Sequence, residues 1–196
     1  MAADPYIAVD PGLYPSGVPA GAAQGSAMSW SAVTAGTVAA IALTLTLLTL
    51  GSAFGLASLS PWPGAGARPE TFTIGAGLWL VVTQWLSAAV GGYLAGRLRV
   101  RWHGLHTDEV FFRDTAHGLL AWATATVIMA IVAVGAVALS NLAAGPTEVP
   151  VTPEAVDAAR KVATSFAAFT GLSLVIGAFI GSVGGAIGGR LRDLHP

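Results

Sequence analysis

Gly184-Gly185-Ala186-Ile187-Gly188-Gly189-Arg190-Leu191-Arg192 closes one long apolar segment, and Gly91-Gly92-Tyr93-Leu94-Ala95-Gly96-Arg97-Leu98-Arg99 closes another in the same manner. A glycine-lined apolar helix that runs into paired arginines is how a membrane-spanning helix with a close-packed face reaches a cytoplasmic surface. Upstream of these endings, residues 162–189 and 71–96 carry no charged side chain. Neither do residues 30–59, and residues 115–144 are interrupted only by the polar His117. About 20 such residues cross a ~30 Å hydrocarbon core. The chain is therefore expected to be an all-α polytopic membrane protein with four transmembrane helices, spanning about 30–58, 72–97, 112–142 and 160–190, arranged as two parallel-repeated hairpins.

Composition agrees with a bilayer environment. Only 10% of the 196 residues are charged and 54% are hydrophobic, whereas a water-soluble domain carries charge on roughly a quarter of its positions. The formal net charge of −1 removes nucleic acid as a partner, because that affinity rests on clustered Lys and Arg. Without cysteine there is no disulfide, thiolate metal site or thiol nucleophile. Residues 1–28 hold Pro5, Pro11, Pro15 and Pro19 and no Lys or Arg. They lack the basic start and apolar run of a signal peptide and read as a flexible cytoplasmic tail preceding the membrane domain, 29–196.

Local signals mark the helix ends. Pro61-Trp62-Pro63 stops the first span. Thr107 before Asp108-Glu109 suits an N-cap with acids in the first turn, where the helix dipole favours them. Residues 145–150 form a breaker cluster, and Thr152-Pro153-Glu154 supplies a cap with proline at the first helical position. Arg97, Arg99, Arg101, Arg113, Arg190 and Arg192 fall on one side of the spans, against Arg68, Arg160 and Lys161 on the other. That asymmetry favours both termini in the cytoplasm, with Arg97, Arg99, Arg190 and Arg192 as anchors at the inner surface of a bacterial inner membrane.

A shift of 93 positions superimposes the two glycine–arginine endings, and helices one and three align more loosely. A duplicated two-helix unit would relate the copies by an axis along the membrane normal; composition bias is the alternative. Ser173, Gly177, Gly181, Gly185 and Gly189 recur every four residues, and Ala88, Gly92 and Gly96 form a shorter row. Such rows let backbones approach closely, either inside one bundle or across a subunit boundary.

Chemistry-bearing residues are few. His103, His106 and Glu109 are spaced to present ligands to a divalent metal such as zinc, although a solvated loop explains them as well, and no metal site is expected. His117 enters the apolar zone, where an ionisable side chain is usually paired or functional. Asp114 and Arg113 share its helix face, so an Asp114–His117 pair is one reading and a proton relay, or a quinone or pigment contact, the other. Gln84, the amide within the second span, either glues helices or lines a polar path. Trp30, Trp62, Trp102 and Trp122 suit interfacial anchoring, while Trp79 and Trp85 suit packing. No nucleophile elbow, zincin motif or P-loop is present, and no cofactor is expected, a bound lipid, quinone or pigment being the open alternative.

Met28-Ser29-Trp30, Leu50-Gly51-Ser52-Ala53-Phe54-Gly55, Thr71-Phe72-Thr73-Ile74-Gly75-Ala76-Gly77-Leu78-Trp79, the Gly91 ending and His117-Gly118-Leu119-Leu120-Ala121-Trp122-Ala123 resemble small proteobacterial inner-membrane proteins labelled "PhnA-like". The resemblance covers the first three helices and implies a four-helix inner-membrane protein. It carries no catalytic residues. The leading expectation is a non-enzymatic structural or accessory subunit docking through glycine-rich faces, in a homo-oligomer or a larger energy-converting membrane complex. A small channel or transporter lined by Gln84 and His117 is the second expectation, and a metal-binding protein or enzyme using His103, His106 and Glu109 the third.

Overall fold

The structure, a computed structural model, describes residues 28–58, 60, 66, 68–101, 106–144 and 152–194. Residues 1–27 of the expected tail, the Pro61-Trp62-Pro63 stop, Trp102 and His103 lie outside the described residues. The described residues form four α-helices and no strand: α1 Trp30–Ala57, α2 Pro69–Leu98, α3 Thr107–Ala144 and α4 Pro153–Leu194. Each is long and apolar enough to cross a membrane.

The helix ends follow local chemistry. Proline opens both α2 and α4, where its fixed φ suits the helix and its missing N–H costs nothing. Thr152 Oγ1 accepts the Ala155 N–H at 3.2 Å, the expected cap of α4. Asp108 and Glu109 occupy the first turn of α3, and the Ser58 N–H closes α1 onto the Phe54 and Gly55 carbonyls. At about 1.5 Å per residue α3 and α4 are roughly 57 and 63 Å long. Both outreach a ~30 Å core and extend beyond the spans of 112–142 and 160–190 expected from the sequence.

α2 and α4 make the most extensive contact, followed by the α1–α2 and α3–α4 hairpins; α2 also touches α3, whereas α1 and α4 do not meet. The register shows the directions. Gly92 meets Gly181 and Gly96 meets Gly185, so α2 and α4 run parallel. Gly36 meets Gly91 while Gly51 meets Trp79, so α1 and α2 are antiparallel. An axis exchanging the hairpins would require an α1–α4 contact to match that of α2 with α3. The packing of the four helices does not carry that symmetry.

Glycine sets these distances. A Cβ on Gly92 or Gly96 would run into the carbonyl oxygen of Gly181 or Gly185, and one on Gly188 into that of Tyr93. Adjacent Gly91 faces α1, where a Cβ would lie 2.8 Å from both the Ala40 Cβ and the Gly36 oxygen. Two successive glycines thus let α2 approach neighbours on two sides. Ala88, Gly92, Gly96 and the whole row from Ser173 to Gly189 are buried. The rows pack against neighbouring helices within this chain.

Burial is concentrated towards the arginine end. The buried residues of α1 lie between Ala32 and Ala40, and those of α3 between Asp114 and Ala125. Every residue in 130–143 of α3 and 153–168 of α4 is exposed. The bundle is closed at one end and open at the other.

Candidate functional site

At the closed end, charged and polar side chains from all four helices converge. Arg99, just past the end of α2, is buried and grips the carboxylate of Asp114 on α3 with its Nε and, at 2.7 Å, with Nη2. This bidentate pair matches the planar fork of guanidinium to carboxylate. Gly189 of α4 lies directly against it, since a Cβ there would fall inside the Asp114 carboxylate. The last glycine of the α4 row therefore makes room for an ion pair between two other helices.

Two further arginines exchange caps. Arg192 Nη1 donates to the Gly96 and Arg99 carbonyls at 3.2 and 3.3 Å, satisfying oxygens that the end of α2 leaves open. Arg101 Nη2 donates at 2.7 Å to the Arg192 carbonyl at the end of α4. Each helix terminus is thus capped by an arginine from the other, and Asp193 neutralises Arg192 through contacts of 2.8 to 3.0 Å. Arg99 and Arg192 were expected as headgroup anchors; both turn inward instead, because parallel neighbours bring their carbonyl ends within reach. Arg190 is exposed, while Arg97 is half-buried.

His117 is fully buried. Its Nδ1 lies 2.6 Å from the Arg113 carbonyl, and its Nε2 accepts the Ser29 N–H at 2.8 Å. These partners assign the neutral imidazole with its proton on Nδ1. The ring thereby ties the start of α1 to α3, and Thr37 Oγ1 repeats the tie one step deeper, donating to the Ala121 carbonyl at 3.3 Å. The Asp114–His117 pair read from the sequence gives way to two longer-range partnerships: Asp114 with Arg99, and His117 with Ser29.

The remaining candidates disperse. His106 is exposed, and Glu109 pairs with Arg113 at 2.6 Å. With His103 outside the described residues, the full metal triad is not on view; among the described residues no group of three potential ligands comes together. Gln84 approaches Trp122 over Gly177, where a Cβ would sit 3.1 Å from Gln84 Nε2 and 2.8 Å from Trp122 Nε1. Trp122 was expected at an interface; its indole N–H is buried inside the bundle without a partner. Trp79 packs as expected, donating to the Leu47 carbonyl at 2.9 Å and standing edge-on to Phe54.

Sequence reasoning missed the reciprocal caps and the Arg99–Asp114 pair. The available signal was the 93-residue equivalence of Arg99 and Arg192, which puts both at one level of the bundle, beside the Asp114 that begins the buried part of α3. Chemically the arrangement is a clasp: its ionisable groups are engaged with helix ends and with each other. No family model, curated protein or solved structure matches this chain.

Proposed function

We propose that this protein is a non-enzymatic accessory subunit of a membrane assembly, a rigid clasped bundle that presents α3 and α4 to neighbouring membrane helices. One observation carries the reading: 130–143 and 153–168 are exposed on every face, although α4 continues there with Ala159, Ala163, Ala167 and Gly171 at four-residue spacing. Lower on the same helix, small residues at that spacing bring backbones into contact. A Cβ on Gly171 or Gly135 would meet nothing within 4 Å, so these faces hold room for a partner. In lipid such faces associate through close packing.

The closed end supports this reading over a channel along the α2–α4 axis, since backbones touch there and His117 is held on both ring nitrogens. The partner is a second copy or another subunit of a membrane complex. Native mass spectrometry of a mild-detergent extract tests the reading. A stable assembly is expected, lost in an Ala163→Leu, Ala167→Leu double variant that still unfolds at the wild-type temperature. Recovery of the wild-type chain only as a monomer contradicts it.

A further inference from the structure

Away from the clasp, a cleft of about 750 Å³ between α1 and α2 is lined by residues from Leu48 to Ser58, at the end of α1, and from Thr71 to Leu80 of α2. Phe54, Phe72 and Trp79 form aromatic walls, and Gly75 leaves its floor open, with nothing within 4 Å of a Cβ built there. Three polar groups of the wall are engaged on the backbone of α1. Ser52 Oγ donates to the Leu48 carbonyl at 2.8 Å, Ser58 Oγ to the Gly55 carbonyl at 2.7 Å, and the Trp79 indole to the Leu47 carbonyl at 2.9 Å. With these three donors engaged on α1 backbone, the lining is hydrocarbon apart from the Thr71 hydroxyl at its α2 end.

Its dimensions select that occupant. Ten helical residues span roughly 15 Å, half of a ~30 Å hydrocarbon core, so the length of the cleft matches the depth of one leaflet. One turn before Thr71, at the lining's α2 end, the N-cap residue of α2 is the exposed cation Arg68. An apolar slot one leaflet deep beneath a surface cation matches an acyl chain beneath a phosphate. We propose that the α1–α2 cleft is a specific phospholipid site of the leaflet opposite the arginine-rich end, one chain lying against Trp79 and Gly75 and the phosphate paired with Arg68. The site rests on the bilayer placement of α1 and α2 and is independent of any protein partner, because lipid and protein adducts differ in mass.

The full-length protein is reconstituted in phosphatidylethanolamine–phosphatidylglycerol vesicles, released into detergent and weighed by native mass spectrometry. One retained phospholipid per chain is expected. Gly75→Leu, which fills the slot, should lower the retained fraction about tenfold, the scale of 1.4 kcal/mol; Gly75→Ala should keep it and Arg68→Gln should weaken it. A photoactivatable fatty-acyl phospholipid on the unaltered protein should label residues 48–58 and 71–80 above 130–143. A chain that retains no lipid, equal retention by Gly75→Leu, a Gly75-dependent protein dimer in place of lipid, or labelling spread evenly over exposed faces would each overturn the site.

Discussion

At the residue scale the clasp turns on Asp114. Its carboxylate is buried, bound by Arg99 through two bonds, and accommodated by a glycine on a third helix. Removing one member of a buried ion pair leaves the other charge stranded, which costs about 3–5 kcal/mol, whereas replacing both with apolar groups of similar volume is often neutral. Asp114→Leu or Arg99→Met alone should therefore lower stability in micelles steeply, and the two combined should recover most of the loss. Equilibrium unfolding of the two single variants and the double variant measures this coupling directly; additive losses would show that the pair is incidental. The sequence pointed to Asp114 and His117 as the polar residues of interest, with a mutual pair as one of two readings, and gave no sign of Arg99 or Ser29 as their partners. Helical spacing reveals which side chains share a face, and it is silent about which neighbour that face meets.

At the element scale, the four helices and most of their ends were legible, because uncharged runs, prolines and caps act locally. The proline starts of α2 and α4, the acidic first turn of α3 and the Thr152 cap all stand where the chain announces them. The small-residue rows were legible too, but their destination was not: spacing alone does not separate a contact within the chain from one between subunits. The structure gives Gly92 and Gly96 to α4, Gly91 to α1, and Gly189 to the ion pair. Glycines that look alike in sequence therefore differ in consequence. Gly92→Leu forces a side chain into the Gly181 backbone and should cost at least the ~1–3 kcal/mol of overpacking. Gly171→Leu enters open space and should leave the melting temperature of the isolated chain near wild type. Similar melting temperatures for the two variants would mean that α2 and α4 do not touch as described.

At the scale of the whole molecule, the bundle is fastened at one end. Reciprocal arginine caps, the Arg99–Asp114 pair and the His117–Ser29 bond hold α1 to α4 together there. Beyond Ala40 on α1, and from 126 to 143 on α3, no residue is buried. Little of this polarity was legible in the sequence, because residues 130–143 are as apolar as the packed spans and composition does not distinguish lipid from protein neighbours. The chain has no cysteine, so paired spin labels can be introduced without background. The most direct test is the label-to-label distance between α1 and α3 in lipid nanodiscs, taken near the clasp at Val38 and Leu119 and far from it at Leu50 and Val134, all exposed positions. A short, narrow distribution is expected near the clasp, and a distance longer by about one helix width, ~10 Å, at the far pair. Equal distances at the two levels would contradict a bundle closed at only one end.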